Sequence, residues 1–139
     1  MIAAAVFLST LVAQAPMTFT TIQQGPLSGV DAERHVVVRT EPEWETLWRE
    51  HQPDREPPHA DFSRSMVVAL FMGSRRTAGY AIDITRVERD DNGVIVFYRQ
   101  TAPAPGAMTA QVLTAPFQII QLDRVPGSVR FQADTSTDR

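Results

Sequence analysis

The sequence contains neither cysteine nor lysine among its 139 residues. The absence of cysteine excludes disulfides, thiolate zinc sites, iron–sulfur clusters and a thiol nucleophile. The absence of lysine excludes lysine-based chemistry, including the Ser-x-x-Lys nucleophile pair. All 13 basic residues are therefore arginine, against 16 acidic residues, and the net charge of -3 gives no electrostatic reason to expect a nucleic acid as partner.

Recognisable enzyme motifs are also absent from the sequence. It has no G-x-S-x-G nucleophile elbow and no glycine-rich phosphate loop between a strand and a helix. Asp90 and Asp91 are adjacent carboxylates, but they lie in an Asp-Asp-Asn-Gly sequence that predicts a hairpin turn, where aspartate accepts local backbone hydrogen bonds. We therefore predict that the protein is not an enzyme and needs no cofactor.

The three histidines are the best remaining candidates for chemistry. His59 is followed by Asp61, with Glu56 nearby, so a metal site or an acid–base pair could form there. Two ligands in a row do not specify a metal, and a solvated proline-rich loop is the simpler interpretation, so we expect no bound metal. We expect His51 to end a helix as a cation that complements the helix dipole.

The first residues of the chain have the pattern of a signal peptide. An apolar run, too short to span a bilayer, leads to Ala13-Gln14-Ala15, which has the small-x-small form of a cleavage site. We predict a signal peptide over residues 1–15 and one mature domain over residues 16–139, exported to a bacterial periplasm or to the cell exterior, without a stable membrane span. Cleavage after Ala13 and an apolar first strand in place of a signal peptide are the alternatives.

Hydrophobic patterning predicts a mainly β (α+β) fold. Thr40 and Glu43 form a capping box ahead of a helix over residues 41–51, and its Trp44 and Trp48 lie on one face that would dock onto a sheet. Strands are predicted at residues 17–23, 35–39, 66–72, 80–85, 94–100, 117–123 and 129–133. We expect an antiparallel β-sandwich or roll of about seven strands with one packed helix, in which residues 66–72 form a central strand.

Two unusual connections separate the later strands. The dibasic loop, residues 73–79, carries two adjacent arginines, and the uncharged loop, residues 101–116, is longer than compact domains usually tolerate without a function. If residues 66–133 form an up-and-down meander, both loops emerge at the same end of the sheet. We predict that this end binds a protein partner, because arginine, tyrosine and apolar anchors are favoured at protein interfaces. The predicted partner-binding residues are Arg75, Arg76, Thr77, Gly79, Tyr80, Pro105, Met108, Pro116 and Phe117.

Several segments in order along the chain resemble a known family. They are Met66-Val67-Val68-Ala69, then Gly73-Ser74-Arg75-Arg76-Thr77-Ala78-Gly79-Tyr80, and later Pro103-Ala104-Pro105-Gly106 and Ala115-Pro116-Phe117. In this spacing, over about residues 20 to 123, the chain resembles the C-terminal domain of PrcB-like protease-complex subunits. The resemblance implies an exported, non-catalytic accessory domain that supports a secreted protease complex. It does not identify the partner.

A second resemblance is to chagasin-type cysteine-peptidase inhibitors. Those proteins bring a Thr-Gly-Tyr loop and a later Pro-aromatic loop to one end of a β-sandwich. Thr77, Gly79 and Tyr80, with Pro116 and Phe117, are similar to that plan. This resemblance implies direct inhibition of a cysteine peptidase through the same loops, which is the alternative function.

Overall fold

A computed structural model describes residues 14–135, so the predicted signal peptide falls outside the described residues except for its last two positions. The described residues form eight strands and one helix. They are β1 (Ala15–Met17), β2 (Phe19–Gly25), β3 (Arg34–Val38), α1 (Glu41–His51), β4 (Ser65–Phe71), β5 (Ala81–Asp90), β6 (Gly93–Thr101), β7 (Phe117–Asp123) and β8 (Ser128–Ala133). Over this range no helix has the length and apolar character needed to cross a bilayer.

The strands form two four-stranded sheets that pack as a sandwich. Sheet A has the order β1-β5-β6-β8, and sheet B has the order β2-β7-β4-β3. All neighbouring strands are antiparallel except β6 and β8, which are parallel. The mainly β, sandwich-like fold with one packed helix is therefore confirmed. There are eight strands because the region predicted as one first strand is divided between β1 and β2.

The predicted up-and-down meander is wrong. After β4 in sheet B the chain enters sheet A for β5 and β6, returns to sheet B for β7, and ends in sheet A with β8. The physical reason lies in the side-chain patterns. β4 is apolar on both faces and must be covered on both, whereas β5 alternates buried and exposed residues and pairs with β6 in the other sheet.

The two faces of β4 belong to two separate hydrophobic clusters. Met66, Val68 and Leu70 point between the sheets and pack with apolar residues of β5, β6 and β7. Val67 and Phe71 point to the outer face of sheet B, where α1 covers them with its tryptophans. The prediction of a central strand is therefore confirmed, because β4 lies inside the order of sheet B and is buried on both faces.

The helix begins and docks as its sequence predicts. The Glu43 backbone N–H donates to Thr40 Oγ1 at 3.4 Å, and the Thr40 hydroxyl donates to the Glu43 carboxylate at 2.7 Å. Trp44 and Trp48 are buried, and their indole N–H groups donate to the carbonyls of Pro58 and Arg55, both at 2.9 Å. These two bonds fix the proline-rich connection that follows the helix, because a buried indole needs a partner.

A buried glutamine links the two sheets. Gln118 of β7 is 3% exposed, and its Oε1 accepts the backbone N–H of Ile84 in β5 at 2.5 Å. Its Nε2 donates to the hydroxyl of Thr21 in β2 at 3.2 Å. At the same seam, Gln24 Nε2 donates to the carbonyl of Ile82 at 3.1 Å. These side chains satisfy backbone groups at the part of the β5 edge that pairs with no strand among residues 14–135.

We predict that Gln118→Met lowers the free energy of unfolding by about 1–3 kcal/mol, because it leaves the buried Ile84 N–H without an acceptor at little change in side-chain volume. Urea unfolding followed by tryptophan fluorescence would measure the loss. Gln132→Met, at an exposed position on β8, is the matched control and should change the stability far less. Equal losses in the two variants would contradict a specific role for the Gln118 amide.

Candidate functional site

The dibasic loop and the uncharged loop lie side by side, so their predicted proximity is confirmed. The backbones of Arg75 and Thr114 exchange two hydrogen bonds, of 2.7 Å and 2.9 Å. The Ala78 N–H donates to the Ala110 carbonyl at 3.0 Å, and the Thr114 hydroxyl donates to the Thr77 carbonyl at 2.9 Å. The two loops therefore form one unit. They meet although the meander is wrong, because both connections cross between the sheets at the same end.

Gly79 allows the two loops to approach each other. Its φ of +97° lies in the left-handed region, which favours glycine. A Cβ atom at this position would lie only 2.8 Å from Cγ of Pro103 in the uncharged loop. At the tip of that loop, the Ala107 N–H donates to the Ala104 carbonyl at 2.9 Å. Pro105 and Gly106 occupy the centre of this turn, and the φ of +79° at Gly106 is typical of a type II turn.

Large apolar side chains are exposed at this end of the sandwich. Met108 is fully exposed, and Leu113 and Val112 are 75% and 52% exposed. Leu27 is 65% exposed and forms a backbone bridge with Ala115, two residues after Leu113. We call the following residues the loop-end surface: Leu27, Arg75, Arg76, Pro105, Met108, Val112 and Leu113.

Sequence reasoning missed three members of the loop-end surface, which are Leu27, Val112 and Leu113. The sequence alone could have indicated two of them, since Val112 and Leu113 are adjacent apolar residues in a loop with no charge. Such residues must either be buried by the loop itself or be exposed for another purpose. Leu27 carried no such signal, because its position beside Ala115 depends on tertiary structure.

The two arginines of the dibasic loop differ in their exposure to solvent. Arg76 is exposed, whereas Arg75 is half-buried and its Nη2 donates to the Met72 carbonyl at 3.3 Å. The guanidinium carbon of Arg75 lies 5.4 Å from the ring centroid of Tyr80, which is itself partly buried against the inter-sheet core. Thr77 is half-buried as well. Arg76 is therefore the cation that the dibasic loop presents to solvent most fully.

Two predicted partner-binding residues are buried. Pro116 is buried, and Phe117 is 3% exposed, with its ring centroid 4.3 Å from that of His51. Phe117 belongs to the hydrophobic cluster under α1. Both residues anchor the end of the uncharged loop in the core, so they do not fit a role in direct contact with a partner.

The prediction that His51 is a cation at the end of the helix is wrong. His51 is 2% exposed, and this burial lowers its pKa from 6.5 to about 4, so the ring is neutral at pH 7. Its Nε2 lies 2.7 Å from Gln23 Oε1, which can only accept, and its Nδ1 lies 2.7 Å from Ser28 Oγ. The ring therefore donates through Nε2 and accepts the Ser28 hydroxyl through Nδ1.

The Ser28–His51 pair is a structural network. Ser28 is 7% exposed, and its Oγ also accepts the Val30 N–H at 3.1 Å, so the hydroxyl is buried and one of its two lone pairs is occupied. The second ring nitrogen of His51 contacts the amide of Gln23, whereas a hydrolase would pair it with a carboxylate. A histidine with a pKa near 4 is also a weak base at neutral pH. The network holds the segment that carries Leu27 against the end of α1.

The other titratable candidates serve turns. Asp61 accepts both the hydroxyl of Ser63, at 2.6 Å, and its backbone N–H, at 3.0 Å, and these bonds lower the pKa of the Asp61 carboxyl. His59 is exposed. Arg130 lowers the pKa of Asp90, which also accepts the Asn92 N–H in the hairpin turn. Within residues 14–135, no group of three histidine, aspartate or glutamate side chains could hold a metal ion.

Comparison with known proteins identifies the segment that carries both loops. Residues 66–123 match the family model described as PrcB C-terminal. This segment runs from β4 through β7, and the match confirms the resemblance to the PrcB C-terminal family over these residues. No curated protein and no solved structure matches the chain.

We predict that the protein loses stability as the pH falls from about 6.5 to about 4. In this window the unfolded chain protonates His51 and the folded chain does not, so the unfolding free energy falls with pH, by about 3 kcal/mol in total. The contributions of Asp61 and Asp90, whose pKa values are lowered by folding, are lost at lower pH than this. Urea unfolding at a series of pH values would measure the slope.

Substitution separates His51 from the other titrating groups. His51→Gln should be less stable at pH 7 but should flatten the stability profile between pH 6.5 and 4, whereas His59→Gln, at an exposed site, should keep the profile of the parent protein. A profile that is unchanged in His51→Gln would show that the buried ring does not control the acid sensitivity.

Proposed function

Starting from the PrcB-like C-terminal domain of residues 66–123, we propose that this protein is an exported, non-catalytic accessory domain that binds a secreted protease or another subunit of its complex. The loop-end surface is the proposed contact. The apolar leader pattern supports the exported location.

The single observation that carries this proposal is the union of the two loops at one end of the sandwich. Four hydrogen bonds, three of them between backbones, tie the dibasic loop to the uncharged loop. The dibasic loop leaves the buried strand β4, and the uncharged loop leads into the buried strand β7. A surface held in this way loses little conformational entropy on binding. Its fully exposed Met108 and largely exposed Leu113 are large apolar side chains whose burial by a partner would be favourable.

The chemistry of the loop-end surface indicates what the partner must offer. Met108, Val112 and Leu113 project from a loop without charge, so they would enter an apolar recess. Arg76 is exposed beside them and suits a carboxylate at the rim of that recess. Arg75 is held by Met72 and Tyr80 and would position the loop. We therefore expect an apolar groove with acidic residues along its border.

Direct inhibition of a cysteine peptidase remains the alternative, and burial weighs against it. The likeness to chagasin-type inhibitors needs an exposed Pro-aromatic pair on the second loop, but Pro116 and Phe117 are buried. We expect no inhibition of papain at micromolar concentrations of the purified protein. Inhibition that is lost in Tyr80→Ala would instead favour the inhibitor function.

We predict that the protein, purified with its bound partners from the envelope fraction of its native host, carries a secreted protease identifiable by mass spectrometry. A triple variant, Arg76→Glu, Met108→Ser and Leu113→Ser, should retain at least tenfold less of that protease, because it removes the exposed anchors and reverses the rim charge. All three side chains are exposed, so the melting temperature should change little.

The control for charge reversal is Arg49→Glu, an exposed position on α1 away from both loops. It should retain the protease as the parent protein does. Equal retention by the triple variant and this control would refute the loop-end surface as the contact. A co-purifying protein that is neither a protease nor bound to one would refute the proposed class of partner.

A further inference from the structure

The outer edge of β3 is the least protected strand edge of the sandwich. Each sheet leaves two edge strands, and three of the four carry features that oppose pairing with another chain. β1 has only three residues and includes Pro16, and β2 has a register irregularity between Thr21 and Gln23. β8 is polar along much of its length and carries Arg130. β3 has neither a proline nor a register irregularity, and its one arginine, Arg34, lies at its first position, ahead of three valines.

β3 has the composition of a strand that pairs readily. Val36, Val37 and Val38 follow one another, and β-branched residues favour extended backbone. β3 pairs regularly with β4 from Arg34 to Val38 without a bulge, and no described strand pairs with its other edge. This edge therefore presents unpaired backbone N–H and C=O groups in strand geometry, which a further strand would satisfy.

A groove of about 370 Å³ runs between β3 and the helix. Val36 and Val38, which alternate along the strand, line one side, and Thr46 and Leu47 of α1 line the other. Val36 is half-buried, so its apolar surface is only partly covered. A strand added at the edge of β3 would place alternate side chains on this same face and extend the apolar cover over it.

The two ends of the groove differ in charge. At one end Arg34 forms an ion pair with Glu50 at 2.5 Å, and both side chains are partly exposed. At the other end Glu43 lines the groove, and its carboxylate accepts the Thr40 hydroxyl. No cation among residues 14–135 pairs with Glu43. At one end the groove thus offers Arg34, a five-donor guanidinium that is bound to Glu50 through Nη1, and at the other end a carboxylate without a counter-ion, an arrangement that a two-fold axis makes self-complementary.

We propose that β3 pairs antiparallel with β3 of a second copy of this chain, around a two-fold axis at Val36. In this register Arg34 of one copy lies opposite Val38 of the other, at the end of the groove where Glu43 of that copy lies. The same contact repeats on the other side of the axis. Both copies of α1 then stand on the same face of one continuous eight-stranded sheet, because the two-fold axes of antiparallel pairs are perpendicular to the sheet.

The length of β3 determines how strong this association is. Five residues on each side give a short strip of backbone pairing, with two ion pairs and a few valine contacts. Such an interface lies at the small end of specific interfaces, so we expect dissociation constants on the order of micromolar. The dimer should therefore form and dissociate as the concentration changes.

Sedimentation velocity on the purified protein over about 1–200 µM tests the proposal, since this range brackets a micromolar constant. The parent protein should shift from monomer to dimer. Arg34→Glu or Glu43→Arg alone should weaken association at least tenfold, because each places like charges together across the axis, and the double variant should restore it. Glu45→Arg, on the other flank of α1, is the matched control and should dimerise as the parent does.

The cysteine-free sequence allows a direct test of the axis. Val36→Cys places the only thiol of each chain opposite its symmetry mate, where Cα atoms of paired strands lie about 4.5–5.5 Å apart, within the range for a disulfide. Mild oxidation should convert this variant to a covalent dimer much faster than Glu45→Cys. Circular dichroism confirms that both variants are folded. If Val36→Cys does not fold, the charge reversals at Arg34 and Glu43 decide the proposal.

Three outcomes would overturn the proposal. The first is a parent protein that stays monomeric at the highest concentration. The second is a dimer that the charge reversals at Arg34 and Glu43 do not weaken, or that the double variant does not restore. The third is a Val36→Cys protein that cross-links no faster than the Glu45→Cys control.

Discussion

The structure depends on the burial of β4 on both of its faces. Val68 and Leu70 require the second sheet on one side, while Val67 and Phe71 require the helix on the other. Because β4 can have no face in water, it must be central, and the strands that follow it must divide between two sheets. As a result, the connection after β4 and the connection after β6 both pass from one sheet to the other at the same end of the sandwich. The loop-end surface exists because those two crossings meet there.

Local sequence signals predicted the elements well, and long-range pairing limited the rest. The helix has the predicted bounds, because Thr40 caps it and Trp44 and Trp48 mark its buried face. The meander failed because hydrophobic alternation identifies which strands are half-exposed but not which strand each one pairs with. The link between the sheets through Gln118 could not be predicted either, since a glutamine in a strand pattern does not indicate that its side chain accepts the N–H of Ile84.

For the candidate site, the sequence predicted the region and the structure corrected its members. Arg76 and Met108 are exposed as expected, whereas Phe117 is a core residue, because an aromatic at the start of a buried strand packs inward. His51 shows the same limit. Its place at the helix end suggested a cation, but Ser28 and Gln23, more than twenty positions away in sequence, supply the partners that keep it neutral and buried. Only tertiary contact reveals that environment.

The two proposed surfaces are compatible because one is formed by the loops at the end of the sandwich and the other by the edge of β3 in sheet B. β3 begins at Arg34, opposite Phe71, from which the dibasic loop leaves, so this end of β3 lies at the loop end of the sandwich. Antiparallel pairing around Val36 turns the second copy end for end. In such a dimer the two loop-end surfaces face opposite directions, and neither copy covers the Met108 or Arg76 of the other. A dimer of this form has two loop-end surfaces and could bind two partner molecules at once. If those partner molecules are themselves joined, the overall affinity exceeds that of either site alone.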